Sequence, residues 1–391
     1  MPSIKLHILI GIVISISPGD AVGAVFKTPT GAVVTVDFET AARLSLKGVL
    51  LMEYGELPSS TDSKRRVKTG KEVMKEFIEF VEEQDNDIPE KQSVNKARGP
   101  VATRGFFMCD FGRKEVRFLD LKSLGEGASP FAISKDGKTV FASVTITEND
   151  GTGAVKAIAE LDIESGERHY LKLGDYPASD IFFAEDEGVF FFSFVNKDAS
   201  KGKDYCVENI VKVDVTTGEV AAVTPRDNDR YLYAVAENAR LLLAAEDSRD
   251  IWGAEKLMLC KYDGDVVRVV VESTTLLRYP YTRSISSDGE RFLFAEWGKY
   301  LGTLCVDEAD KPDLFVLERG ASKNLTQDKL LWDSYDISPD GLMVGIVIPR
   351  VDLGGYYGGQ YFGVIDIDTL NVYRILEPAR NVSIDITSWD E

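Results

Sequence analysis

Three near-identical stretches constrain this chain more than any other feature. They are Ile133-Ser134-Lys135-Asp136-Gly137, Ile285-Ser286-Ser287-Asp288-Gly289 and Ile337-Ser338-Pro339-Asp340-Gly341. Each is followed by a second apolar run, at 139–144, 291–296 and 343–348. Glycine takes positive φ without a Cβ clash, so Asp-Gly flanked by apolar runs is the strongest short-range hairpin signal.

Aligning the chain on the apolar residue before each such turn gives Leu44, Ile133, Phe183, Val235, Ile285, Ile337 and Ile386. The last six are separated by 50, 52, 50, 52 and 49 residues. A period near 50, with four short strands (A to D, outward from the axis) per unit, marks a β-propeller blade. In the fifth complete unit the strands fall at 282–286, 291–296, 313–318 and 323–326. A second turn recurs between C and D, at Asp162-Ile163-Glu164-Ser165-Gly166, Asp214-Val215-Thr216-Thr217-Gly218 and Asp366-Ile367-Asp368-Thr369. The interval from Leu44 to Ile133 is about 39 residues longer than the others. The excess predicts an insertion at 57–103, between a B strand at 49–54 and a C strand at 105–110. Within it, Val73, Phe77, Phe80 and Val81 share one face at helical spacing, so an amphipathic helix is expected over 70–83.

The termini complete the ring. Residues 24–28 and 32–38 read as a hairpin around Pro29-Thr30-Gly31, and 383–391 reads as an inner strand. The apolar run 6–16 supplies the missing B strand, so a seventh blade closes with strands from both ends and leaves no exposed sheet edge. The expectation is one all-β domain over 1–391, a seven-bladed propeller with a helical insertion; a six-bladed ring is the alternative. Residues 1–24 also fit a cleavable signal peptide, with Lys5, the run 6–16 and small residues at Val22-Gly23-Ala24. The complete blade favours a strand, and with it the cytoplasm over a secreted or periplasmic site.

The Ser-Pro-Asp-Gly turn and its variants, each followed by an apolar strand, resemble the TolB-like and WD40-like (PD40) propeller repeat. The resemblance covers nearly the whole chain outside 57–103. It implies the fold; its members serve as partner scaffolds, ligand binders and accessory domains of peptidases. Two units depart from the motif, Ala184-Glu185-Asp186-Glu187-Gly188 and Ala236-Glu237-Asn238-Ala239, where turns through Asp186/Gly188 and Asn238 are expected.

Charge and composition narrow the partners. With 64 acidic against 45 basic residues the net charge is −19, which repels phosphate backbones. The one basic cluster, Lys64-Arg65-Arg66 with Lys68, reads as a solvated loop, and nucleic acid is not an expected partner. No stretch after the N-terminal run approaches the ~20 apolar residues of a membrane span. Cys109, Cys206, Cys260 and Cys305 show no metal-binding spacing and read as free thiols. Only two histidines occur, His7 in the N-terminal run and His169 in an outer strand, and there is no GxSxG element. A Ser/His/Asp triad or a His-rich metal site therefore has no good candidates.

The long connections are B–C loops, at 148–153, 196–205, 247–254, 298–312 and 350–359 besides the insertion. In repeat folds, insertions on one face mark the binding face. Tyr356 and Tyr357, within Gly354-Gly355-Tyr356-Tyr357-Gly358-Gly359, supply amphipathic contacts there. The strand alignment sets Arg43, Asp336 and Asp385 at equivalent inner-strand positions of neighbouring blades, as a polar group near the channel or a charge-satisfied wall. Arg283 and Arg230 are weaker candidates of the same kind. Glu148-Asn149-Asp150-Gly151 and Asp227-Asn228-Asp229 offer calcium-type oxygens but match no EF-hand loop, and no resident cofactor or metal is expected. The function expected is a monomeric, non-enzymatic scaffold that binds a protein or peptide through the long-loop face. The rival is a small-molecule-binding or lactonase-like hydrolytic propeller using the channel mouth.

Overall fold

The computed structural model describes residues 23–29, 31–56, 103–124, 127–147, 154–174, 176, 179–201, 207–225, 229–247, 254–272, 285–296, 313–326, 334–351, 357–379 and 382–390. The chain enters through a hairpin of β1 (Ala24–Lys27) and β2 (Val33–Val36), then α1 (Phe38–Arg43), whose first turn is capped by the Asp37 carboxylate accepting from Thr40 N. Three strands follow, β3 (Val49–Glu56), β4 (Thr103–Asp110) and β5 (Glu115–Leu119).

Three contiguous four-stranded sheets come next. The first holds β6 (Ser129–Ile133), β7 (Thr139–Thr147), β8 (Ala154–Asp162) and β9 (Arg168–Gly174). The second holds β10 (Ser179–Ala184), β11 (Val189–Val195), β12 (Glu208–Asp214) and β13 (Val220–Ala222). The third holds β14 (Arg230–Ala236), β15 (Leu241–Asp247), β16 (Ala254–Lys261) and β17 (Val266–Glu272). A fifth sheet holds β18 (Arg291–Glu296), β19 (Asp313–Glu318) and β20 (Ala321–Asn324), with Ile285 bridged to Phe292 on its inner side. The sixth holds β21 (Ser334–Ile337), β22 (Met343–Val351), β23 (Tyr357–Asp366) and β24 (Val372–Pro378), and the chain finishes in β25 (Val382–Asp390).

The propeller has six blades, not seven. β25 does not join the N-terminal hairpin; it is the inner strand of the blade β25-β3-β4-β5, here called blade one. The hairpin instead extends blade six outward, with β2 paired to β24, in the order β1-β2-β24-β23-β22-β21. Leu44 is therefore no inner-strand residue; it is the C-cap of α1. The run at 6–16 and all of the expected helical insertion except Thr103 lie outside the described residues.

Register explains why the sequence alignment held for five units and slipped at the last. The aligned residues face equivalent partners: Ile133↔Val140, Phe183↔Phe190, Val235↔Leu242, Ile285↔Phe292 and Ile337↔Val344. In blade one the equivalent pair is Trp389↔Leu50, three residues beyond Ile386. A β-bulge between Ile386 and Ser388 inserts one residue into β25, and matching bulges interrupt β6, β10 and β14 just before their aligned residue.

The three Ser-X-Asp-Gly turns share one set of bonds. In the sixth blade, Ser338 Oγ donates to Asp340 Oδ1 at 2.7 Å and accepts from Met343 N at 2.9 Å, while Asp340 Oδ1 also accepts from Leu342 N at 3.0 Å. Gly341 closes the turn at φ 72°, its N–H on the Ser338 carbonyl. Ser134/Asp136 and Ser286/Asp288 repeat the pattern. The two departing turns still form, one through Gly188 at φ 61° as expected, the other through Arg240 at φ 54° rather than Asn238.

Apolar side chains fill the spaces between blades. One cluster joins Ile133, Val140 and Val144 to Leu51 and Met108; another joins Phe141 and Ile158 to Phe183, Phe190 and Phe192. Between blades six and one, Trp389, Ile384 and Ile386 pack on Val347, Phe362 and Val364, and the hairpin adds Phe26 and Val34 to the same cluster. Each large side chain so buried contributes ~1.5–3 kcal/mol of transfer free energy.

Candidate functional site

Each inner strand ends on the aligned apolar residue or one residue past it, and the residue two positions beyond the aligned one lines the axis in blades two to six. Lys135, Glu185, Glu237, Ser287 and Pro339 come to the channel mouth in this way, and Asp390, next to Trp389, completes the ring. Beneath them lies the apolar layer Ile133, Phe183, Val235, Ile285, Ile337 and Trp389. The cavity they enclose is about 30 Å³. That is room for water, an order of magnitude below the ~300 Å³ at which ligand clefts begin.

The mouth is tied together around its circumference. Lys135 Nζ lies 3.0 Å from Asp186 and 3.4 Å from Glu237, and its backbone N–H donates to Glu185 at 2.7 Å. Asp186 N donates to Glu237 at 2.7 Å, Ala239 N to Ser287 O at 3.0 Å, and Ser287 Oγ to Pro339 O at 2.8 Å. Trp389 N donates to Asp336 at 2.9 Å, and Ile133 N to Asp390 at 3.3 Å. These bonds link every blade to the next. Burial raises the Glu185 carboxyl above the usual range, with Glu237 adding to it. Burial pushes the Lys135 ammonium down, but its bonds to Asp186 and Glu237 more than offset this and leave it raised. Carboxylate and ammonium groups here hold neighbouring turns.

The residues singled out from sequence are dispersed. Arg43 is exposed in the last turn of α1, whose Phe38 and Ala41 pack beside the N-terminal hairpin and β24. Asp336 is fully buried in β21, one oxygen accepting from Ile337 N at 2.8 Å and the other from Trp389 N. Asp385 is exposed in β25, and the residue of β25 equivalent to Asp336 is Ser388. Arg230 in β14 pairs with Glu246 across the sheet at 3.4 Å. Tyr357 begins β23, while Arg283, Tyr356, Glu148–Gly151 and Asp227-Asn228 lie outside the described residues. Asp229 accepts from Glu208 N at 2.8 Å.

Two residues near Asp385 escaped the sequence reading. Glu53 in β3 stands opposite Asp385, and Arg104 Nη2 donates to Glu53 Oε2 at 2.8 Å. The Glu53 bond, reinforced by the charges of Glu53 and Asp385, raises the Arg104 pKa. The available signal was Glu53 itself, an acid between the apolar run Val49-Leu50-Leu51-Met52 and Tyr54. This strip belongs to the other end of the disc, where the B–C connections leave the strands.

Cys109 and Cys260 are buried free thiols, and burial raises both thiol pKa values, which keeps them protonated and unreactive. Among the described residues no group of three or more His, Cys, Asp or Glu side chains is placed to hold a metal, and no helix is long and apolar enough to cross a membrane.

No family profile matches the chain, and no curated protein does. Solved structures do match. TolB from Acinetobacter baumannii is similar over 90% of this chain and 70% of its own, at 14% identity and a TM-score of 0.51. An oligogalacturonate lyase from Vibrio parahaemolyticus matches 93% of this chain and 85% of its own at 11% identity and a TM-score of 0.45. The acylaminoacyl peptidase of Pyrococcus horikoshii matches 71% of this chain at 14% identity and a TM-score of 0.46, over 42% of its own length. At such identities the likeness is one of fold, and the fold is a TolB-like β-propeller.

Proposed function

We propose that this propeller is a non-enzymatic scaffold that binds a protein or peptide partner through the face carrying the B–C and D–A connections. The observation behind this reading is the inequality of the two ends of the disc. At the A–B end the turns are tight, bonded to one another, and enclose a cavity of about 30 Å³. At the other end the chain spends residues 57–102, 148–153, 196–207, 248–253, 297–312 and 352–356 between B and C strands. Insertions confined to one face of a repeat fold are where such folds keep their binding surface. Tyrosines in a glycine-rich connection suit a polypeptide partner. No observation favours the channel-mouth alternative, since Arg43, Asp336 and Asp385 sit in three separate settings.

The test is site-specific photo-crosslinking in the native host. A photoreactive residue replacing Tyr356 should give one dominant protein adduct, and the same residue replacing Glu164, in a C–D turn, should give none. Equal labelling at both positions, or none at either, would sink the proposal.

A further inference from the structure

Along each inner strand, backbone N–H groups point alternately to the B strand and to the axis. Ser286 N donates to Arg291 O and Ser338 N to Met343 O, both at 2.8 Å, so the residues before them, Ile285 and Ile337, turn their N–H groups to the axis. Register sets Val235 and Trp389 in the same position. A buried N–H group needs an acceptor. Beside the closing strand, side chains supply it. Ile337 N and Trp389 N donate to the two oxygens of Asp336 at 2.8 and 2.9 Å, and Ile133 N donates to Asp390. One carboxylate therefore spans the N–H groups of two adjacent blades.

Blade four departs from this pattern. Its residue equivalent to Asp336 is Ala234, one before Val235 and fully buried, and a methyl group accepts nothing. Among the described residues no side chain caps Val235 N or the neighbouring Ile285 N. Both residues line the cavity of about 30 Å³, under Glu185, Glu237 and Ser287.

We propose that this cavity is a water-binding site, where one or two waters accept from Val235 N and Ile285 N and donate to Glu185 and Glu237. The volume suits about two waters at ~10–15 Å³ each. Asp336 shows that an N–H pair of this kind takes an oxygen acceptor. An anion is disfavoured here, because Glu185 and Glu237 face it across the cavity and the chain carries a net charge of −19. Water is neutral, accepts from the donors below and donates to the carboxylates above, whose oxygens have lone pairs beyond those used by Lys135 N and Asp186 N. The joint between blades four and five can then open slightly without stranding a buried donor. Opening the joint between blades six and one strands two. The site lies at the tight-turn end, so it is independent of the scaffold reading.

The experiment is water–amide cross-relaxation on the perdeuterated, 15N-labelled full chain. The Val235 and Ile285 amides should show cross-peaks to slowly tumbling, bound water, and the Ile337 and Trp389 amides should show none. Ser287→Ala should leave the cross-peaks in place, which excludes relay through that hydroxyl. Ala234→Asp puts a carboxylate where Asp336 stands and should abolish both cross-peaks, with far-UV circular dichroism and thermal melts as fold controls. Because that variant buries a new acid and need not fold, the wild-type pattern decides by itself. No cross-peak at Val235 and Ile285, or equal ones at Ile337 and Trp389, would overturn the proposal. So would cross-peaks that vanish in Ser287→Ala, or an anomalous bromide peak in the cavity of bromide-soaked crystals.

Discussion

Blades two to four and blade one reach the same four-stranded geometry by opposite routes. In the contiguous blades the inner strand passes to its neighbour through a turn of a few residues, held in blade two by Ser134 and Asp136. Blade one has no such turn. Its inner strand comes from the far end of the chain, and Asp390 stands where the other blades place Ser134, Ser286 or Ser338. The missing local bonds are replaced by long-range ones. Trp389 N donates to Asp336 in blade six, Trp389 Nε1 donates to Lys47 O at 2.9 Å, and Asp390 accepts from Ile133 N in blade two. A local turn can be damaged with one blade affected. Damage to the closing strand loosens two blade interfaces together.

The largest effect expected from this contrast is at Trp389, which is 1% exposed and packs on Phe111 and Phe362. Trp389→Ala should destabilise by ~3–5 kcal/mol, with hydrogen exchange rising in both β21 and β6. Ser286→Ala, in an internal turn, should cost only about 1 kcal/mol, with exchange confined to its own blade. Equal costs in urea unfolding would erase the distinction between the two routes.

Gly48 sharpens the same point from the other strand. It holds φ +84°, and a Cβ there would fall onto the Asp390 carbonyl oxygen, a backbone atom with little room to give. Gly48→Ala should therefore cost more than ~2 kcal/mol by left-handed strain and displacement of β25. A cost below ~1 kcal/mol would mean that β25 can shift freely, against the closure described here.

The smallest effect is electrostatic and lies in an internal turn. The Ser134 hydroxyl, helped by the Lys138 N–H, holds the Asp136 carboxyl below its usual range. A carboxyl depressed in the folded state contributes stability above its unfolded pKa, and that contribution is lost as pH falls through the folded value. Asp136→Asn should thus lower stability slightly at neutral pH and flatten the acid limb below about pH 4. Glu185 has the opposite sign. Its raised pKa means stability declines as pH rises through the folded value, so Glu185→Gln should gain relative stability at neutral pH. Melting temperatures from pH 3 to 7 would check both, and an unchanged acid limb in Asp136→Asn would remove the turn from the balance.

Much of the fold was legible because its determinants are local. The Ser-X-Asp-Gly turns, the Asp-led C–D turns and the alternating B and C strands each follow from backbone chemistry over a few residues. The strands expected at 49–54, 105–110 and 313–318 appear as Val49–Glu56, Thr103–Asp110 and Asp313–Glu318. The candidate site was much less legible. Equivalent positions in an alignment imply neighbours, but Leu44 belongs to α1 and the inner-strand residue equivalent to Ile337 is Trp389, three residues beyond Ile386. Arg43 and Asp385 thereby lost the places assigned to them, and Glu53 and Arg104 were passed over because their pairing spans two strands separated by 57–102.

What the sequence by itself determined is the repeat: its period near 50, its turns, and the all-β propeller those turns require. Tertiary structure alone decided how many blades close the ring and which strand closes it. The β25–β3 register joins residues such as Asp385 and Glu53 that no local pattern relates. Burial of Trp389 between Phe362 of blade six and Phe111 of its own blade selects that register over a seventh blade, because the packing free energy accrues only once the ring is shut.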